Sequence, residues 1–87
     1  MFRLALLNPN TTQRHTLAMR EVALATLPPG AEVTAISAER GPTSIESEAD
    51  AAVAAAEVVA LMGSLEPHDA YVIACFGDPG LDAAREP

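Results

Sequence analysis

The sequence predicts an α/β fold, a three-layer arrangement in which a parallel sheet carries helices on both faces. Three observations support that reading. Short apolar runs at residues 3–7, 32–36 and 70–74 alternate with longer stretches of helical character. The first run, Arg3-Leu4-Ala5-Leu6-Leu7, is almost continuously apolar, as expected of a strand covered on both sides. The order strand, helix, strand, helix, strand, helix start argues for parallel pairing through right-handed crossovers, the βαβαβ half of a doubly wound fold.

The first strand ends at Asn8-Pro9-Asn10. Asn10 with Gln13 three residues on has the spacing of a capping box, which starts a helix from about Thr11 to Leu27 with Leu17, Leu24 and Leu27 on its buried face. Pro28-Pro29-Gly30 stops it, because proline lacks the amide and clashes with the preceding turn. A β-branched strand follows over Glu32–Ile36, then a loop through Gly41-Pro42-Thr43-Ser44. Ser47 with Asp50 opens an alanine-rich helix to about Leu65, whose Val53, Ala56 and Ala60 form a small-residue packing face. Ala70–Ala74 is the third strand, and it delivers Cys75 at its carboxyl end. Asp78 before Pro79 reads as an N-cap and first turn, so Leu81–Glu86 opens a third helix that the sequence leaves about two turns long.

With 87 residues the chain is one domain, residues 1–87, and it buries only about 60–65% of its unfolded surface, so an apolar face needs a partner. Hydrophobic residues make up 49% of it, which is the composition of a globular chain. The net charge of −7 with scattered arginines leaves no basic stripe, which argues against nucleic acid and anionic membrane as partners. No apolar run approaches the roughly 18 residues that cross a bilayer. The apolar start is too short for a signal peptide and the one cysteine has no internal disulfide partner, so a cytoplasmic location is expected. His15 and His68 read as solvated, with no ligand set spaced around them to hold a metal. Neither the G-x-x-x-x-G-K-[ST] nor the G-x-G-x-x-G nucleotide motif follows the first strand.

In open parallel sheets ligands bind beyond the carboxyl ends of the strands, where three loops converge here. The third holds Cys75. A thiol facing a helix N-terminus there is favoured as a thiolate able to take a proton, although cysteine also commonly just fills space. In the first loop, Asn8 and Asn10 can donate amide hydrogen bonds to a bound carboxylate or ureide, or they can build a turn and a cap. Ser44 can bind a ligand or structure its own loop. Asp78 reads as a cap rather than an acid.

Taken together, the loops resemble those of hydantoin racemases and the similar allantoin racemases within the aspartate/glutamate racemase superfamily. The resemblance rests on Leu6-Leu7-Asn8-Pro9-Asn10-Thr11-Thr12, on Gly41-Pro42-Thr43-Ser44-Ile45-Glu46-Ser47 and on Ala74-Cys75-Phe76-Gly77-Asp78-Pro79-Gly80-Leu81, in register across essentially the whole chain. It implies a racemase of two pseudo-symmetric α/β halves acting on a hydantoin, allantoin or amino-acid-like substrate, which lies between them with a cysteine reaching in from each. No cofactor and no metal takes part. One thiolate removes the proton α to a carbonyl and the other thiol protonates the opposite face. By carry-over, Cys75 is one acid/base, Asn8 and Ser44 contact the substrate, and Phe76 and Gly77 line the pocket; Asn10, from its place in the first loop, is a further expected substrate contact.

The family's second half and the Gly-Cys loop bearing its other cysteine lie beyond the stretch these 87 residues resemble. The chain is therefore expected to be truncated in its last helix, to self-associate or pair with a complementary C-terminal half, and not to racemise alone. Two other readings are an isomerase or decarboxylase of the same superfamily and a noncatalytic small-anion binding or remnant module.

Overall fold

The computed structural model of the chain describes residues 1–75 and 77–86, so Phe76, expected to line the pocket, lies outside the described residues. Its elements are β1 (Arg3–Asn8), α1 (Gln13–Thr26), β2 (Glu32–Ser37), α2 (Glu48–Ser64), β3 (Ala70–Ile73) and α3 (Leu81–Ala84). The strands form one parallel sheet in the order β2-β1-β3. Alternation along β1 then divides the core. Leu4 and Leu6 point to one face, where with Val33 they pack against Met19, Ala23 and Leu27 of the α1 region. Ala5 and Leu7 point to the other and meet Val58 and Leu61 of α2. The two crossovers thus cover opposite faces, which is the predicted three-layer α/β arrangement.

Several local expectations change. α1 starts from Thr12, which makes no side-chain cap bond, and Asn10 instead accepts from the Thr12 amide at 2.9 Å in a tight side-chain turn. Gln13 does not reach back to close a capping box, because its Oε1 accepts from the Ser37 hydroxyl at 2.8 Å. Leu17 and Leu24 are 54% and 39% exposed, and the buried stripe of α1 runs through Thr16, Met19 and Ala23. The demand of β1's Asn8 for a polar neighbour sets that phase.

In α2 the cap is as expected, with Ser47 Oγ accepting from the Asp50 amide at 3.0 Å. Its buried line is Ala54, Val58 and Leu61, however, and Val53, Ala56 and Ala60 face outward. Apolar residues run almost around this helix, so their spacing alone did not single out a face. Asp78 does not cap α3. It adopts a left-handed φ of 46°, and its carbonyl accepts from the Leu81 amide at 3.1 Å in a turn. Gly80 takes the cap position at φ 79°, where a Cβ would lie 2.8 Å from the carbonyl oxygen of Ala55, so only glycine lets α3 approach α2 this closely. The α3 helix spans only Leu81–Ala84 rather than reaching Glu86.

His68 is more tightly held than its polar loop suggested. Its Nδ1 lies 2.6 Å from the Glu66 carbonyl oxygen and its Nε2 3.1 Å from Thr34 Oγ1, while its ring tilts on Tyr71. Both ring nitrogens are thus engaged, with donor and acceptor roles that depend on the tautomer. Among the described residues no helix is long and apolar enough to cross a membrane.

Candidate active site at the carboxyl edge of the sheet

β1, β2 and β3 end side by side at Asn8, Ser37 and Ile73, so the loops that follow them emerge at one edge. The first loop is built downward as well as outward. Asn8 is 1% exposed, and its Nδ2 donates to Thr16 Oγ1 at 2.8 Å and to Asn10 Oδ1 at 3.1 Å. Its Oδ1 accepts from the Asn10 amide at 3.1 Å. The Thr16 hydroxyl joins that of Ser37, which passes on to Gln13 Oε1. Read by donor and acceptor, the chain runs one way, with Asn8 donating to Thr16, Thr16 to Ser37 and Ser37 to Gln13. No buried side-chain polar atom among the described residues is left without a partner. Asn8 is therefore committed to the protein at both amide atoms, below the edge, where it ties the first loop to α1.

Asn10 stands one layer higher and is half-buried. Its oxygen is taken by Asn8 Nδ2 and the Thr12 amide, so its NH2 group is the part turned to other uses. The first loop is also stapled to the second. The Thr11 amide and hydroxyl both donate to the Pro42 carbonyl, at 3.1 and 3.3 Å, and the Thr12 hydroxyl donates to the Thr43 backbone carbonyl at 2.8 Å. Ser44, next along, is exposed at this edge.

Cys75 lies two residues beyond β3 and is half-buried with a free thiol. Its backbone is tied down on both sides, the amide donating to Ile73 at 2.9 Å and the carbonyl accepting from the Asp78 amide at 3.1 Å. The thiol opens into a hollow of about 610 Å³. Cys75, Gly77 and Pro79 form one wall. The opposite wall is Ile45 and Glu46 with the start of α2, namely Ser47, Glu48 and Ala51. The structure thus brings Cys75 and Gly77 together and sets them against the second loop, while Asn8, Asn10 and Ser44 are not among the residues that wall this hollow.

Glu46, Ser47 and Glu48 were not singled out by sequence as site residues, Ser47 having been assigned only as a cap. The available signal was the place of Glu46 and Ser47 in the second motif, immediately before a helix that Glu48 opens and whose amino end must face the sheet edge. Chemically, the hollow combines a thiol with the amino end of a 17-residue helix, whose dipole favours negative charge. The carboxylates of Glu46 and Glu48 oppose that pull for an anion arriving from solvent. The combination suits a ligand that develops charge in place better than one that arrives charged. Among the described residues no group of three or more His, Cys, Asp or Glu side chains is arranged to hold a metal ion.

Comparison with known proteins fits this geometry. The hydantoin racemase of Paenarthrobacter aurescens is 40% identical over 87 residues, a match covering 97% of this chain and 37% of that protein. The hydantoin racemase of Rhizobium meliloti is 43% identical over 83 residues, covering 93% of this chain and 34% of that protein. Among solved structures, the allantoin racemase from Klebsiella pneumoniae superposes with a TM-score of 0.90 at 40% identity, over 98% of this chain and 36% of that one. The allantoin racemase from Pseudomonas fluorescens does so with a TM-score of 0.91 at 30% identity, over 98% of this chain and 37% of that one. The chain thus spans little more than a third of the length of the relatives it matches. A profile of the Asp/Glu/hydantoin racemase family matches residues 4–87, and the chain belongs to that family.

Proposed function

We propose that these residues form the first part of a racemase acting on a cyclic or linear ureide such as a hydantoin or allantoin, with Cys75 as one of two proton-transferring thiols. The observation that carries this is the Cys75 hollow, in which a half-buried thiol faces the amino end of α2 across a space of about 610 Å³. In the thiolate form Cys75 takes the proton from the carbon α to a carbonyl, the C–H electron pair passing into the carbonyl as an enolate. A second thiol, supplied from a complementary C-terminal half, gives its proton to the opposite face, and the roles exchange for the other enantiomer. No cofactor or metal is required, because thiols and oriented dipoles supply all the chemistry.

The amino end of α2 and the Ser47 hydroxyl are placed to stabilise charge as it develops on the substrate oxygen, the term that most often dominates such reactions. Ser47 Oγ accepts from Asp50 and keeps its own proton for that purpose. Asn10 and Ser44 stand at the same edge outside the hollow and meet the part of the ureide that extends beyond it, Gly77 keeps the wall beside the thiol low, and Asn8 holds the loop that presents Asn10. The setting for this chemistry is cytoplasmic.

Alone, the chain does not racemise, since it offers one thiol to one face of the substrate and leaves the developing charge in water. The test is complementation. The chain is co-expressed with the part of the Paenarthrobacter aurescens hydantoin racemase that it does not match, and racemisation of a 5-substituted hydantoin is followed by polarimetry. Activity is expected from the pair and not from the chain, and Cys75→Ser in the pair should reduce it by about 100-fold or more. An active pair that tolerates Cys75→Ser, or racemisation by the chain alone that depends on Cys75, overturns the reading.

A further inference from the structure

The hydrogen-bond chain beneath the first loop has a polarity, and backbone amides set it. A backbone N–H can only donate, so the Asn8 atom that meets the Asn10 amide at 3.1 Å is Oδ1, and the Asn10 atom that meets the Thr12 amide at 2.9 Å is likewise Oδ1. Asn8 therefore directs its NH2 group at Thr16 Oγ1 and Asn10 Oδ1. With Asn8 donating to it, the buried Thr16 hydroxyl gives its own proton to Ser37, and Ser37 donates to Gln13 Oε1 at 2.8 Å. Both amide oxygens, that of Asn10 and that of Gln13, are thus held inward by the protein. Neither NH2 group has an acceptor among the described residues, and Gln13 is exposed while Asn10 is half-buried. The two stand together over the end of β2, where the Ala38 amide donates to the Asn10 carbonyl at 3.2 Å and Ser37 holds Gln13.

We propose that Asn10 and Gln13 form a donor pair that takes a carbonyl oxygen on an arm of the substrate, so that Gln13 sets a preference for a ureide with a carbonyl-bearing arm, as in allantoin, over one with an alkyl arm. The pair lies at the end of β2, whereas Cys75 follows β3, two strand spacings or about 10 Å across the sheet. A substrate whose reacting carbon sits at Cys75 meets the pair only with a group that projects away from its ring. A carbonyl oxygen there satisfies the two donors, while an alkyl arm covers them and leaves them without partners, which lowers affinity. A carboxylate is the poorer occupant, because the chain carries a net charge of −7 and Glu46 and Glu48 stand at the neighbouring hollow. Overall similarity does not make the choice of arm, since the Paenarthrobacter aurescens hydantoin racemase and the Klebsiella pneumoniae allantoin racemase are each 40% identical to the chain. Ser37 and Thr16 are positioning residues in this arrangement, acting by holding the Gln13 oxygen inward.

The inference rests on the reading of Cys75 as a proton-transferring thiol, and ligand binding tests the two apart. The isotope-labelled chain is titrated with allantoin and, separately, with 5-isopropylhydantoin. NMR follows the side-chain NH2 signals of Asn10 and Gln13 and the backbone amides of Cys75 and Gly77. Allantoin is expected to move all of these signals and to bind at least about fivefold more tightly than 5-isopropylhydantoin, which moves the backbone amides alone. Gln13→Glu keeps the acceptor for Ser37 and loses the donor, and Gln13→Met loses the donor without adding charge. Each should reduce the preference to below twofold, and the exposure of Gln13 spares the folding of the chain. Ser37→Ala releases Gln13 and should lower the preference, whereas Ser37→Thr keeps the hydroxyl and should retain it. Equal affinity for the two ligands, a preference that survives both Gln13 variants, or no shift at any of these signals overturns the donor pair. Shifts at Cys75 and Gly77 without shifts at Asn10 and Gln13 overturn it too and leave the catalytic reading standing. Shifts at Asn10 and Gln13 with none at Cys75 and Gly77 keep the donor pair and sink the catalytic reading instead.

Discussion

Replacing Asn8 by alanine probes what holds the carboxyl edge together. The side chain is 1% exposed and makes four hydrogen bonds within protein, to Thr16 Oγ1, to Asn10 Oδ1, a long one to the Thr12 carbonyl, and from the Asn10 amide. A typical bond of this kind contributes about 1 kcal/mol net, and a buried group left without its partner costs about 1–3 kcal/mol. Asn8→Ala strips the donor from Thr16 and the acceptor from the Asn10 amide, so a loss of about 2–4 kcal/mol is expected. A chain of 87 residues has roughly 4–13 kcal/mol in total, so the variant should melt more than about 10 °C below the parent. Urea unfolding followed by circular dichroism measures it. Asn8→Asp is the sharper control. It keeps the volume but replaces the NH2 donor with an oxygen that faces Asn10 Oδ1, and it should destabilise at least as much as alanine. A change below about 0.5 kcal/mol for Asn8→Ala would refute the reasoning and return Asn8 to the surface of the site.

Two pairs of substitutions test the packing of α2 by the same measurement. Gly80→Ala forces a left-handed residue and a Cβ 2.8 Å from the Ala55 carbonyl oxygen, and should cost about 2 kcal/mol or more. Gly63→Ala lies within α2 with nothing within 4 Å of the new methyl, and should stabilise by about 0.5–1 kcal/mol. Val58→Ala empties a site of 0% exposure and should lose about 2 kcal/mol, whereas Val53→Ala at 44% exposure should stay within about 0.5 kcal/mol. If the Val53 variant proves the more damaging of that pair, the assigned buried face of α2 is wrong.

The fold was legible because strand and helix alternate with different periods, and the stops are chemically emphatic. Pro28-Pro29-Gly30 ends α1 within a residue of the expected position, and Gly30 at φ 92° gives the tight turn there its left-handed residue. The helix faces were less legible. In α1 leucines at plausible spacing face water, because the position opposite Asn8 demands a hydroxyl and Thr16 supplies it. A sequence read for apolar periodicity does not score that preference. In α2 alanine and valine lie nearly all around the axis, and one residue of phase carried no cost in the pattern. At the edge, Cys75 was legible from its place after an apolar strand. The wall facing it was not, because whether Glu46, Ser47 and Glu48 meet the thiol depends on where a crossover helix begins in space.

The alternation of side chains along the strands gives the edge a division of labour. Asn8 follows Leu4 and Leu6 onto the α1 face, and its hydrogen-bond chain through Thr16 and Ser37 stiffens the first two loops from that side. Tyr71 and Ile73 point to the α2 face, and two residues later Cys75 opens against the start of α2. Support for the loops and the thiol are thus carried on opposite sides of one sheet. The groove over Val72 and the hollow at Cys75 share no lining residue, so the effects of substitutions in one should add to those of substitutions in the other.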